Sequence, residues 1–145
     1  MTTANDIVDF SRTWLGTRWV HQGRSERGID CAGVLVMTAQ HFDLPREDML
    51  GYGRNPSREF HRQIRRYTDR VRPMIPVHGA IGIFHDTVMP CHTGVFAVGS
   101  DGRITVIHSD ASARRCIEEG YDDSSPSLRE RLVDIRLFQQ VDYGL

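Results

Sequence analysis

The chain changes texture at residues 73–76. Upstream of Pro73 and Pro76 its apolar residues recur at helical spacing. Downstream they gather into short runs rich in β-branched and aromatic residues: "AIGIF", "TGVFAV", "ITVIH", "RRCIE" and "LVDIRLF". The turn "GSDGR" between the second and third runs carries the Asp-Gly of a tight hairpin. Helices first and strands second allow few architectures. They predict an α+β fold in which N-terminal helices pack on a C-terminal antiparallel sheet. With 145 residues, 39% of them hydrophobic, residues 1–145 are expected to form one domain, since a second core has no room.

Upstream, "ANDIVDFSRTWLG" sets Ile7, Phe10, Trp14 and Leu15 on one helical face, with Gly16 as a stop. "TRWVHQGRSERGID" reads as a polar loop, and "CAGVLVMTAQHF" is apolar nearly all round, hence a buried helix. "DLPREDMLGYGRNP" is a second loop. "SREFHRQIRRYTDRV" then predicts a polar helix capped by Ser57. Within it Arg58, Arg62, Arg66 and Arg70 recur every four residues and form one stripe. Such a stripe is either a solvated face or a docking surface for an acidic protein or an anionic polymer.

A formal net charge of −1 excludes a molecule built as an electrostatic sleeve for nucleic acid. No apolar run approaches the ~20 residues that span a bilayer, so membrane insertion is not expected. "MTTANDIVDF" lacks the basic and apolar regions of a secretory signal, which predicts synthesis in the cytoplasm. Three cysteines without paired spacing (Cys31, Cys91 and Cys116) argue against a disulfide framework. The absence of a C-x-x-C pair weakens a zinc site, so no metal is expected. All 18 basic residues are Arg. A GC-rich genome and selection for planar recognition both account for that.

Cys31 follows Gly28, Ile29 and Asp30 and opens the buried helix. A thiol at a helix start meets unpaired backbone N–H groups and the positive end of the dipole. Both favour thiolate and predict a lowered thiol pKa. Asp30 is placed to cap that helix. A base is then needed, and His titrates nearest neutrality. His92 begins one hairpin strand and His108 ends its partner, so the two are neighbours at one end of the sheet. Cys91 precedes His92 and is expected on the opposite face of the strand, and Cys116 is expected in the core. His41, His61, His78 and His85 are expected to be surface or strand-end residues without partners.

These motifs in order, "WLGTRWVHQGRSERGIDCAGVLV", "GAIGIF", "CHTGVFAV" and "VIHSDA", resemble the NlpC-type cell-wall cysteine peptidases, which have a papain-like fold. Within that family the "VHQGR" loop and the "GYGRNP" segment look closest to peptidases of phage tails and gene transfer agents. The resemblance implies Cys31 as nucleophile, His92 as base and His108 as the residue that orients it. It implies neither metal nor cofactor. Trp19, His21, Gln22 and Asp30 would line the substrate groove. Two positions depart from the family pattern: Ala32 stands where Ser usually follows the Cys, and Arg18-Trp19 replaces Pro-Tyr.

The implied activity is cleavage of a peptidoglycan stem peptide through a Cys31 thioester. The enzyme would be carried in a virion or tail-like particle after synthesis in the bacterial cytoplasm. Neighbouring tail-tip or hub proteins are its expected partners, with Arg58, Arg62, Arg66 and Arg70 as the docking surface. Two other readings stay open. One is a cell-wall amidase toxin delivered between bacteria, and the other a structural tail-tip subunit whose site has decayed.

Overall fold

The computed structural model describes residues 1–48, 52, 58–85 and 91–145. Of the "GYGRNP" segment only Tyr52 is among them. The Ser57 cap and the Arg58 side chain lie outside the described residues.

Helix α1 (Ala4–Arg12) begins at a capping box in which Thr3 and Asp6 satisfy each other's backbone N–H groups. It buries Ile7, Val8 and Ser11. The helix ends before Trp14 and Leu15, so the expected face is rotated. Val8 takes the core position, and Leu15 is left exposed. The "polar loop" that follows contains a short hairpin, β1 (Arg24–Ser25) with β2 (Gly28–Ile29). Period-2 reasoning misses strands this short.

Helix α2 (Cys31–His41) is buried on every side near its start, as its composition requires. Its third residue must be Gly. A Cβ on Gly33 would stand 2.5 Å from the Gly23 carbonyl oxygen and 2.6 Å from Ile29 Cγ1, so the hairpin loop presses directly on the helix backbone.

Helix α3 (Arg58–Arg66) is shorter than its charge pattern predicts. Thr68–Arg70 instead forms strand β3 and pairs with the far end of the sheet. Arg70 therefore leaves the helix, and no four-residue Arg stripe exists on one face. Arg62 pairs with Glu59 at 3.5 Å and Arg66 with Glu47 at 3.6 Å. Thr68 is drawn into the sheet because buried Arg136 donates from Nε to its hydroxyl at 3.0 Å and from a terminal nitrogen to its carbonyl at 2.8 Å.

The remaining strands are β4 (Ile81–Phe84), β5 (His92–Val98), β6 (Ile104–Asp110), β7 (Arg115–Gly120) and β8 (Leu132–Phe138), with a short helix α4 (Leu128–Arg131) before the last. Among the described residues they form one antiparallel sheet in the order β3-β8-β4-β5-β6-β7. Alternation gives the sheet two buried faces. Ile81, Ile83, Val95, Ala97 and Ile107 meet α1 and α2 in one cluster. Ala80, Phe84, Phe96, Val106, Tyr121, Leu128 and Ile135 form a second on the opposite face. This is the predicted α+β arrangement, helices against a C-terminal antiparallel sheet.

Candidate active site

The sheet opens at one end, and the first turn of α2 enters the opening. The β5–β6 ladder runs from Val98↔Ile104 to Val95↔Ile107 and stops. Beyond it two hydroxyls on the helix-facing side grip the backbone around Asp30. Ser109 Oγ donates to the Ile29 carbonyl at 2.7 Å, and Thr93 Oγ1 donates to the Cys31 carbonyl at 3.2 Å. The Cys31 sulfur faces the Thr93 amide and hydroxyl and the Ala32 amide.

His92 lies one residue before Thr93, so its ring projects from the other face of β5, beside Phe84. There its Nε2 stands 2.7 Å from Nδ1 of His108. Thiol and imidazole pair thus approach the same strand end from opposite faces. Both histidines are almost wholly buried.

The chain of contacts continues past the residues expected from sequence. His108 Nε2 stands 2.8 Å from Glu119 Oε1 on β7. The strand "RRCIE" was legible, but Glu118 and Glu119 point to opposite faces. Only the register, which sets His108 against Ile117, selects Glu119.

Asp110 adds a carboxylate, so His92, His108 and Asp110 bring three potential ligand atoms within 4.8 Å of one another. The two ring nitrogens face each other at 2.7 Å. Two ligands of a tetrahedral zinc, each bonded at about 2.0–2.1 Å, stand about 3.3 Å apart. The pair therefore has the geometry of a hydrogen bond. Cys91 joins the helix-side core, on the face opposite His92. It lies close enough to Cys31 that a charge there, added to its own burial, raises its pKa.

The expected thiolate is overturned. Cys31 is only 5% exposed, and burial, reinforced by the Asp30 carboxylate, pushes its thiol up to about 11. The Thr93 and Ala32 hydrogen bonds offset this only in part. His92 moves the other way. Burial, then His108, then Arg131 hold it well below its ordinary value. Desolvation disfavours whichever form is charged, so at rest the site holds a neutral thiol and a neutral imidazole.

Three of the four residues assigned to a substrate groove turn inward. Asp30 caps Gly33 at 2.9 Å, accepts from the Gln22 amide at 2.8 Å and pairs with Arg24 at 2.8 Å. It also accepts from the Tyr52 hydroxyl. His21 Nε2 contacts the Tyr52 carbonyl at 3.0 Å, and Gln22 donates to the same oxygen at 2.8 Å. These residues hold the loop in place. Trp19 is half-buried, its ring tilted against His21 at 6.4 Å between centroids. Three of the other four histidines have partners after all. His41 stacks on Phe10, His61 lies 3.3 Å from Asp134, and His78 bridges Asn5 and the Val98 amide.

No protein-family model and no curated protein matches the sequence. Solved structures share the fold. A NlpC/P60 family protein from Bacillus cereus ATCC 10987 superposes with a TM-score of 0.70 at 19% identity, over 94% of this chain and 40% of that one. NlpC1 from Trichomonas vaginalis gives 0.67 at 14% identity, over 93% and 44%. The NlpC/p60 domain of the peptidoglycan hydrolase SagA gives 0.62 at 14%, over 94% and 98%. The chain thus spans less than half the length of the first two and nearly all of the third. At these identities the likeness establishes the fold, which is that of the NlpC/P60 proteins.

Proposed function

We propose that the protein is a cysteine peptidase that cleaves peptide bonds in peptidoglycan stem peptides, with Cys31 as nucleophile, His92 as base and His108 as its orienting partner. One observation carries the reading. A thiol at the start of a buried helix enters the open end of a sheet where two hydrogen-bonded histidines meet.

With thiol and imidazole both neutral at rest, the proton moves as bond formation begins. Sγ attacks the scissile carbonyl carbon while its proton passes to Nδ1 of His92, the ring nitrogen not engaged with His108. Asp30 occupies the Gly33 amide with its side chain and the Val34 amide with its carbonyl. The Ala32 amide is left to face the sulfur and stabilises the developing oxyanion. The amine departs with the proton from His92. Water, deprotonated by the same ring, then hydrolyses the thioester. A cleft lined in part by His61, Arg62, Arg65, His85 and Cys91 opens beside Cys91, itself close to Cys31, and its cationic rim suits a carboxylate-bearing peptide.

The proposal extends to a phage or gene-transfer-agent tail as the vehicle. His21 and Gln22 of "VHQGR" bind Tyr52 of "GYGRNP", so the two segments that carry that resemblance support each other at the N-cap of α2. The buried, strongly raised thiol favours one rival, a tail subunit whose site has decayed.

Digestion of purified sacculi decides between them. Wild-type protein is expected to release stem-peptide fragments with new amino termini, and Cys31→Ala none. Equal release by both proteins, or none by wild type, overturns the reading.

A further inference from the structure

The Glu119 contact determines where the protons of the histidine pair sit. This role of Glu119 rests on Cys31, His92 and His108 being the reacting groups. A carboxylate only accepts, so the 2.8 Å contact requires hydrogen on Nε2 of His108. In a neutral ring Nδ1 then carries a lone pair. Across 2.7 Å that lone pair faces Nε2 of His92, which must donate. A neutral His92 with hydrogen on Nε2 has its remaining lone pair on Nδ1, as proton abstraction from a thiol demands.

We propose that Glu119 is a positioning residue: its carboxylate fixes the tautomers of His108 and His92 in turn, and steadies the positive charge the pair acquires when the S–H bond of Cys31 breaks and an N–H bond forms on Nδ1 of His92. The surroundings are consistent with this role. The hydrogen bond from His108 holds the Glu119 pKa below its ordinary value against the opposing effect of burial, with help from Arg131. Among the described residues, the other charged groups near the pair are Asp110, on the same strand as His108, and Arg131 at the end of α4. Asp110 accepts from the Ala113 amide at 3.0 Å. Among the described residues, Glu119 is the carboxylate that meets a nitrogen of this pair at hydrogen-bond distance.

Neutralising the carboxylate without changing its shape tests the idea. In Glu119→Gln the amide is free to rotate and donate to Nε2 of His108. That reverses both tautomers and places hydrogen on Nδ1 of His92. In protein labelled with 15N at histidine, two-bond 15N–1H spectra should show hydrogen on Nε2 of both rings in wild type and in Asp110→Asn. In Glu119→Gln it should move to Nδ1. Turnover of sacculi should fall about a hundredfold in Glu119→Gln with KM unchanged, and Glu119→Asp should restore part of it.

Unchanged tautomers in Glu119→Gln, or turnover within twofold of wild type, overturn the proposal. The spectra are recorded on folded protein without substrate. A wild-type protein that leaves sacculi intact therefore overturns the proposed function while the spectra still decide the role of Glu119.

Discussion

At the scale of single residues, motif and environment make opposite demands on Cys31. The Asp-Cys-x-Gly spacing places the thiol at a helix start, and that much was legible. The environment was not, because burial is decided by Thr93, Ser109 and the hairpin loop, all distant in sequence or conformation from residue 31. Desolvation outweighs the amides of the helix start and raises the thiol to about 11. Cys116 is raised to about 12 by burial alone, and Cys91 is raised as well. The nucleophilic form is the thiolate, and below its pKa the thiolate fraction grows about tenfold per pH unit. Iodoacetamide is therefore expected to label Cys31 ahead of Cys116 and Cys91, at a rate that climbs steadily from pH 7 to pH 10. Rapid labelling of Cys31 at pH 6, level across the range, would restore the resting thiolate.

Among the elements, the strands were the more legible part. Five runs after Pro76 contain the cores of β4 to β8, since each alternates against two apolar faces. The helices were read less well. Apolar spacing carried α1 past its end at Arg12, and charge periodicity carried α3 into β3. In neither case does the local pattern contain the competing tertiary contact, such as the two bonds from Arg136 that draw Thr68 into the sheet. The docking of α2 was invisible for the same reason. It depends on two hydroxyls, Thr93 and Ser109, that a sequence reading takes for ordinary strand residues. Ser109→Ala removes the shorter of two hydrogen bonds on the buried Ile29 carbonyl, which keeps the Val20 amide at 3.3 Å, and the net loss of one such bond costs about 0.5–1.5 kcal/mol. A lower urea midpoint at constant m-value is expected, along with lower turnover as the first turn of α2 loosens. A midpoint equal to that of wild type would mean the hydroxyl does not hold the helix.

For the whole molecule, the same burial that shapes the site predicts a stability limited on both sides of neutrality. On the acid side, His92, Glu118 and Glu119 have folded pKa values below their ordinary ones. Their contributions are complete above about 6.5 for the histidine and about 4.5 for the carboxylates. They are lost as pH falls and the folded state must accept protons it disfavours. On the alkaline side, Cys31 and Cys116 rise from 9.0 to about 11 and about 12. Their contributions are complete below 9.0 and are lost as pH climbs through the folded values, because the unfolded chain releases those protons first. The melting temperature is thus expected to hold a plateau between about pH 7 and pH 9 and to fall on both flanks. Cys116→Ala provides the internal check. It lowers the plateau by opening a small cavity but removes one of the thiols that titrate on the alkaline flank, so its decline from pH 9 to pH 11 should be shallower than that of wild type. An alkaline flank of unchanged slope in that variant would show that buried thiols do not set it.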